Sequence, residues 1–400
     1  MLTNMYPPHA YGGYEYSCRD VVERWQSHGH LVEVLTSTVR VRGVREPDCE
    51  PGVHRELQAY SHHHQSFSPR VWRRLIMEWQ NSRALQRIVA RFGPDAVSVW
   101  NMGGMSLGLL SWLHQHKIPL VVAVCDEWPV YAPSLDAWLR SLVKRPVTGR
   151  VVHLVTGLPT TWPELGAFGH TCFASKFLLA GVRERSLWDF PGAEVVHPGI
   201  DPEDFPAVPE VDRPWRWRLL CAGRIDRCKG IDTVVRAMVH CPPDASLVVH
   251  GRGDDDYLGE LKALATDLGL RERVVFTASS RDEVAPVYRQ ADVLIFPSAC
   301  REGFGLVPIE AMACATPVVG TRDGGSAEYL DDEKNCLAFE PGDAEALAGA
   351  LVRLAGDPEL RRTVVAGGLF TAATFTVDRQ AAGLERALQA VVAKPGPEGR

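Results

Sequence analysis

Two carboxylates and two cations carry the chemically most suggestive spacing in this 400-residue chain. Glu302 opens the glycine-flanked run Glu302-Gly303-Phe304-Gly305-Leu306. Glu310 follows after seven intervening residues, within Ile309-Glu310-Ala-Met-Ala313. Arg224 and Lys229 stand in Gly223-Arg224-Ile-Asp-Arg-Cys-Lys229-Gly230. A carboxylate can accept two hydroxyl hydrogen bonds at once, which suits the vicinal diol of a ribose or a hexose. Glycines let backbone amides approach hydroxyls or phosphates closely. Two cations beside a helix start add their charge to the helix N-terminal dipole, and together they can neutralise a pyrophosphate without a metal. Isolated acids and surface ion pairs more often do nothing but sit in solvent. The glycine context favours the ligand-binding alternative here.

The elements that must position these groups are readable from apolar runs. Asp292 to Phe296 is a short buried parallel strand. The Glu302 loop follows it, a helix begins at Pro308, and Thr316 to Gly320 is the next strand, closed by Gly324-Gly325. Trp217 to Ala222 is a strand ending at Gly223, with a helix starting near Ile231-Asp232. Ala245 to Gly251 is another, ending in Gly251-Arg252-Gly253, and Arg273 to Thr277 a further one, with Ala278 and Ser279 at its end. All these groups therefore fall just past the carboxyl ends of strands, where open α/β sheets bind ligands.

The N-terminal half repeats the pattern. Leu2 to Met5 reads as the tail of a strand whose earlier apolar residues are missing, so a true start upstream of Met1 is expected. Tyr6 to Gly13 is a loop ending in the pair Gly12-Gly13, Tyr14 to His28 a helix, and Leu31 to Thr36 a strand. Trp72 to Phe92 is helical by period, Pro94 to Trp100 a strand, and Asn101 to Gly104 a glycine turn. Ile118 to Val124 is a buried strand ending in Cys125-Asp126-Glu127-Trp128. Trp128 to Arg150 is a loop-and-helix excursion, and Thr171 to Lys176 closes the sheet. Gly12-Gly13 is either a ligand-approaching loop or only a tight turn. Asp126 is either a ligand contact or a helix cap. His62-His63-His64 cannot all reach one ion from regular backbone, so a solvated loop is expected there.

The net charge of −6 and pI near 6.2 argue against nucleic-acid binding. Arg70 to Arg74 and Arg183 to Arg185 are only small basic spots. Ten cysteines without a C-x-x-C pair fit reduced, buried thiols rather than a disulfide framework or zinc site. No stretch reads as a bilayer span or as a charged-then-apolar leader, and no basic amphipathic helix is evident. A cytoplasmic location with at most peripheral membrane contact is expected.

Glu302-Gly-Phe-Gly305 through Glu310-Ala-Met-Ala313, then Pro317-Val-Val and Gly324-Gly325-x-x-Glu328, resembles the paired-glutamate motif of family 4 retaining glycosyltransferases. The resemblance implies the GT-B fold, an α/β architecture of two Rossmann-like doubly wound domains facing across a cleft. The domains would be an acceptor-binding one over 1–205, a nucleotide-sugar-binding one over 206–376, and a helix with a flexible tail over 377–400 that crosses back. The linker is expected in the proline- and acid-rich stretch Pro202 to Pro214, with its boundary near Pro206.

The resemblance also implies roles. Glu302 and the amides of Gly303, Phe304, Gly305 and Leu306 would face the donor sugar, Glu310 the ribose, and Arg224 and Lys229 the diphosphate. Gly12, Gly13, Gly223, Gly251 and Gly253 would line the donor site. Glu302, Asp126, Arg224 and Lys229 are the candidate catalytic set. The family often has histidine before the aspartate at the Asp126 strand end, and this chain has Cys125. The implied reaction moves a sugar from a nucleoside diphosphate sugar to an acceptor hydroxyl with retained configuration, without metal or cofactor. A non-catalytic sugar-nucleotide-binding protein, for which Cys125 is the best support, and a sugar-nucleotide epimerase remain alternatives. The acceptor is left open.

Overall fold

The computed structural model describes residues 1–41, 43–45, 50–62, 65–66, 69–167, 169–207 and 214–393. His63, His64, the middle of the linker (208–213) and the tail from Lys394 lie outside the described residues. The chain separates into two units, one holding Met1–Ala10, Tyr14–His197 and the chain from Gln380, the other Tyr11–Gly13 and Pro198–Arg379.

The first unit is built on a parallel sheet. Its strands are β1 (Val34–Ser37), β2 (Val53–Leu57), β5 (Val97–Val99), β6 (Leu120–Val124), β7 (Gly169–Phe173) and β8 (Glu194–Val195), with a small hairpin β3 (Ser61–His62) and β4 (Gln65–Ser66) between. Leu2 bridges in parallel to both Leu35 and Val99, so it occupies the strand position between β1 and β5. β6 is buried along its whole length, as a run of Leu-Val-Val-Ala-Val must be in a sheet covered on both faces. The strand expected from Leu31 starts only at Val34, and Leu31 is exposed. Helix α1 (Gly13–Ser27) turns Cys18, Val21, Val22 and Trp25 inward. Helix α2 (Val71–Phe92) ends at Gly93, whose left-handed conformation a side chain would resist.

The excursion after β6 resolves into three helices, α4 (Trp128–Leu135), α5 (Leu139–Val143) and α6 (Pro146–Thr156), after α3 (Gly108–Gln115). Helix α7 (Lys176–Arg185) is capped by Ser175, whose hydroxyl accepts from the Leu178 amide.

The second unit holds six strands, β9 (Arg218–Ala222), β10 (Ser246–His250), β11 (Val274–Thr277), β12 (Val293–Phe296), β13 (Val318–Gly320) and β14 (Leu337–Ala338). Their order is β11-β10-β9-β12-β13-β14, and every pairing is parallel. This is the doubly wound arrangement in which the strand order reverses between the first and fourth strands, here β9 and β12. Its core gathers Leu219, Leu247, Val249, Val293, Ile295 and Val319 with helices α8 (Ile231–Ala237), α9 (Asp255–Asp267) and α12 (Ala344–Gly356). Helices α10 (Val284–Gln290), α11 (Val307–Ala313) and α13 (Pro358–Thr374) complete the layers.

The division falls at Pro198 and near Gln380 rather than at Pro206 and Val377. Two contacts explain the shift. The Ile200 amide donates to the Phe375 carbonyl and the Val377 amide to that of Ile200, while the Phe205 ring packs 6.2 Å from Tyr288. The last helix, α14 (Val377–Ala393), then joins the first unit: Ser17 donates to Gln380 and the Trp25 indole to the Ala381 carbonyl, at 3.1 Å each.

Candidate functional site

Three loops, leaving the carboxyl ends of β9, β12 and β13, converge in the second unit at the point where the strand order reverses. They are stitched together by backbone. The amides of Ala299 and Cys300 donate to the Cys228 carbonyl at 2.9 and 3.1 Å. Gly230 sits at φ 61°, and a Cβ there would lie 2.3 Å from the Pro297 carbonyl oxygen. The Gly325 amide donates to the Glu302 carbonyl at 2.7 Å, and a Cβ on Gly325 would meet the Gly303 oxygen at 2.2 Å. These glycines are fixed by close backbone approach, whatever else they bind.

A disulfide joins Cys228 to Cys300 across the first two loops. The expectation of ten reduced thiols is therefore wrong for this pair. The two cysteines are 72 residues apart, and only the adjacency of β9 and β12 brings them together, so no local spacing could announce them. Among the described residues seven other cysteines are free, and six of these are buried.

The disulfide residues neighbour the two charged groups of greatest interest. Lys229 Nζ donates to Glu302 Oε1 at 2.5 Å, and the Ser298 hydroxyl reaches the same oxygen at 2.5 Å. Both side chains are mostly but not fully covered, 27% and 14% exposed, so a ligand can still reach them. Arg224, on the same β9 loop, makes no hydrogen bond through its Nε and is ion-paired there to the Asp226 carboxylate at 3.6 Å. Sequence gave no sign of Ser298 as a partner of Glu302.

The next turns hold the loop's shape. Phe304 is buried and packs against Tyr329 and Phe375 at ring separations of 5.0 and 5.4 Å. Its side chain is therefore core. Gly305 adopts φ 89°, and its carbonyl accepts from the Tyr329 hydroxyl at 2.5 Å. Leu306 precedes α11, whose second residue is Pro308.

Glu310, in the first turn of α11, is buried and already engaged: Tyr288 donates to Oε2 at 2.7 Å and Arg281 to Oε1 at 3.4 Å. Burial and the facing Glu310 carboxylate push the Tyr288 phenol well above its ordinary range. Arg281 also lies over the Phe205 ring at 5.5 Å. Arg281 and Tyr288 were missed in the sequence, because nothing in residues 281–288 marks a site.

At the neighbouring strand end, Gly223 donates to the His250 carbonyl at 3.0 Å, and a Cβ on Gly251 would lie 1.8 Å from the Gly223 oxygen. Gly253 bridges Ile225 with equally little room, 2.0 Å to its oxygen. The His250 ring contacts the Thr277 and Ser279 hydroxyls at 2.9 and 3.1 Å, and burial lowers its pKa.

In the first unit, Asp126 follows β6. Its carboxylate accepts from Asn101 Nδ2 at 2.9 Å, the Tyr131 hydroxyl at 2.8 Å and the Trp128 amide at 3.0 Å. Burial raises its pKa against the pull of those donors. Asp126 thus caps the start of α4 and fixes the Asn101 turn. Burial pushes the Cys125 thiol upward too, which makes it a poor thiolate. Gly12 is the turn residue before α1, and Gly13 is that helix's first residue.

Residues 212–368 match the model of the glycosyl transferases group 1 family, and residues 12–167 that of the glycosyl transferase 4-like domain. The D-inositol 3-phosphate glycosyltransferase of Xylanimonas cellulosilytica is 36% identical over 53% of this chain and 56% of its own length. The GDP-mannose-dependent alpha-(1-6)-phosphatidylinositol monomannoside mannosyltransferase of Mycolicibacterium smegmatis is 32% identical over 58% of this chain and 67% of its own. The chain thus spans about half to two thirds of the curated relatives it matches. Among solved structures, the sucrose-phosphate synthase of Thermosynechococcus elongatus superposes with a TM-score of 0.73 over 98% of both chains at 20% identity. Anabaena HepE, crystallised with UDP-glucose, superposes with a TM-score of 0.69 over 97% of this chain and 98% of that one at 17% identity. With both halves matched by glycosyltransferase models and the fold shared over nearly its full length, the chain belongs to the family 4 glycosyltransferases of the GT-B fold.

Proposed function

We propose that this chain moves a sugar from a nucleoside diphosphate sugar to an acceptor hydroxyl, retaining the anomeric configuration and using neither metal nor cofactor. The observation that carries this is the Lys229–Glu302 pair at the β9–β12 reversal, with Arg224 on the same β9 loop. Relatives named for sugar transfer, one of them GDP-mannose-dependent, and a fold neighbour crystallised with UDP-glucose support a nucleotide-sugar donor.

An arriving diphosphate competes for Lys229. It draws the ammonium off Glu302 and competes with Asp226 for the guanidinium of Arg224, so two cations meet the charge that develops on the leaving group. Glu302, released from its ion pair, accepts from hydroxyls of the donor sugar, with the amides of Gly303 to Leu306 alongside. Glu310 sits one turn further and holds the ribose, with Tyr288 and Arg281 fixing its carboxylate. The leaving phosphate itself takes the acceptor's proton on the face it departs from, so Glu302 positions rather than attacks.

The test is saturation-transfer NMR against uridine, guanosine, thymidine and adenosine diphosphate sugars, followed for nucleotide release with and without chelator. Binding of one donor with chelator-resistant release, and product of the donor's own anomeric configuration, is the expected result. Binding without release under broad acceptor mixtures would favour a non-catalytic protein. Inverted product or chelator sensitivity would remove the corresponding part of the mechanism.

A further inference from the structure

Ten of the eighteen large apolar side chains exposed among the described residues lie on one stretch of the first unit: Val71, Trp72, Leu75, Ile76 and Trp79 on α2, and Val143, Val147, Val151, Leu154 and Val155 on or beside α6. Their spacing is helical, i, i+4, i+8 on α2 and i, i+4, i+8 on α6, so each set forms a stripe along one side of its helix. On α2 the inward side is taken by Glu78, Asn81, Ser82 and Leu85, which leaves the Trp stripe pointing away from the core. On α6 only Gly149 is buried, a Cβ there lying 3.5 Å from the Leu142 carbonyl. The helices are joined through α5, because Arg74 donates to the Ala137 carbonyl at 2.9 Å just before it.

The charge along this stretch is of one sign. From Pro69 to Phe92 the sole acid is Glu78, which is buried between the Tyr60 and Ser106 hydroxyls; from Ala137 to Thr160 there is no acid at all. Arg70, Arg73, Arg83, Lys144, Arg145 and Arg150 supply the cations. Arg73 lies over the Trp72 ring at 5.2 Å and Arg83 over that of Trp79 at 4.3 Å. A chain with a net charge of −6 thus collects cations along two helices linked through α5, with two outward tryptophans on α2.

We infer that these two helices form a docking surface for an anionic bilayer. Apolar side chains entering the headgroup boundary, with Arg and Lys at the phosphates and Trp between, is how an interfacial helix holds a membrane. Each cation near an anionic leaflet adds attraction that salt screens. The remainder of the chain, being acidic, would be repelled, so the attraction is local to this face. No described helix is long and apolar enough to cross a membrane, so the contact is peripheral. The surface does not depend on the donor site, and either can fail without the other.

The full chain is sedimented with vesicles of equal parts phosphatidylglycerol and phosphatidylcholine, and with phosphatidylcholine alone, at low and raised salt. Binding to the anionic vesicles only, weakened by salt, is expected. The Trp72→Ser/Trp79→Ser and Val151→Ser/Leu154→Ser pairs should each weaken it by about tenfold, and Arg73→Glu/Arg150→Glu should abolish it. All these side chains are exposed, so melting temperature and nucleotide binding should be unchanged. Absence of wild-type binding at low salt, or binding undiminished in all three variants, overturns the inference. So does a dimer in sedimentation velocity that the same substitutions dissociate while vesicles bind nothing, which would make the face a contact between two copies.

Discussion

The strand-end charges of the two units are disposed in opposite ways. After β6, Asp126 is held by three donors of its own unit, and its geometry is closed: a side-chain amide, a phenol and a backbone amide already occupy it. After β9 and β12, Lys229 and Glu302 are bonded chiefly to one another, and the Arg224 Nε has only the Asp226 carboxylate at 3.6 Å and no hydrogen bond. A charge saturated by its fold stabilises a turn. A charge whose partner is another movable charge, still partly open to solvent, can exchange that partner for a ligand. The same architecture therefore leaves one strand-end charge closed by its own unit and the other able to exchange partners. Asp126 and Glu302, both candidate catalytic acids, thus differ in how their carboxylates are engaged.

The sharpest way to break this contrast is at the open end. Glu302→Gln and Lys229→Ala should each lower kcat/KM by about 10²–10³-fold, the scale for losing one preorganised electrostatic partner. Their circular dichroism and melting should stay near wild type, since the ion pair is partly open to solvent and either charge left alone keeps access to water. Unchanged turnover in both would end the assignment. Next in size is the disulfide. Replacing Cys228 and Cys300 by serine frees a 72-residue loop, and the chain-entropy model puts the cost at about 4 kcal/mol. Thermal unfolding of the double variant should start with the second unit, and donor affinity should fall because the Lys229 and Glu302 loops lose their link. Equal melting temperatures with and without reductant would show that the backbone bonds at Cys228 alone fix the loops.

The strands and the site loops were legible because each is a short apolar run closed by turn-forming residues such as glycine, proline, serine or aspartate, a pattern that depends only on neighbours in sequence. Asp292 to Phe296 and Ile118 to Val124 appear in the structure within a residue or two of their expected ends. What could not be read depends on distant pairs. Cys228 and Cys300 meet only through sheet order, and so do Arg281, Tyr288 and Glu310. Orientation was hidden for a different reason. The period that marks α2 as a helix says that one side is apolar, not whether that side faces the core. Trp138 is buried, but Trp72 and Trp79, at equally helical spacing, face outward. The division between units was misplaced because prolines mark where a chain bends, while Phe205 and Ile200 show where it packs.

At the closed end, Asp126→Asn sharpens the contrast. An asparagine must turn its amide nitrogen toward Asn101, Tyr131 or Trp128, so at least one donor faces a donor. A loss of about 1–3 kcal/mol in stability is expected, the cost of one unsatisfied buried group, with kcat/KM falling less than in the Glu302 variant. A collapse of kcat at unchanged melting temperature would instead place Asp126 at the reacting atoms.

The smallest expected effect is a pH slope confined to the first unit. Burial and the nearby Asp136 carboxylate raise the Glu78 pKa, the hydrogen bonds from Ser106 and Tyr60 opposing them only in part. A carboxyl with a raised folded-state pKa binds more protons folded than unfolded, so stability is greatest below the ordinary carboxylate range and declines as pH rises above it. Unfolding should therefore become easier from mildly acidic toward alkaline pH. Glu78→Gln keeps the size and both hydroxyl contacts but cannot ionise, so it should flatten that decline. The second unit's transition, which Glu78 does not touch, should respond to pH identically in both proteins. Parallel melting curves of wild type and Glu78→Gln across that range would mean that the Tyr60 and Ser106 hydroxyls stabilise the charged form as well as the neutral one.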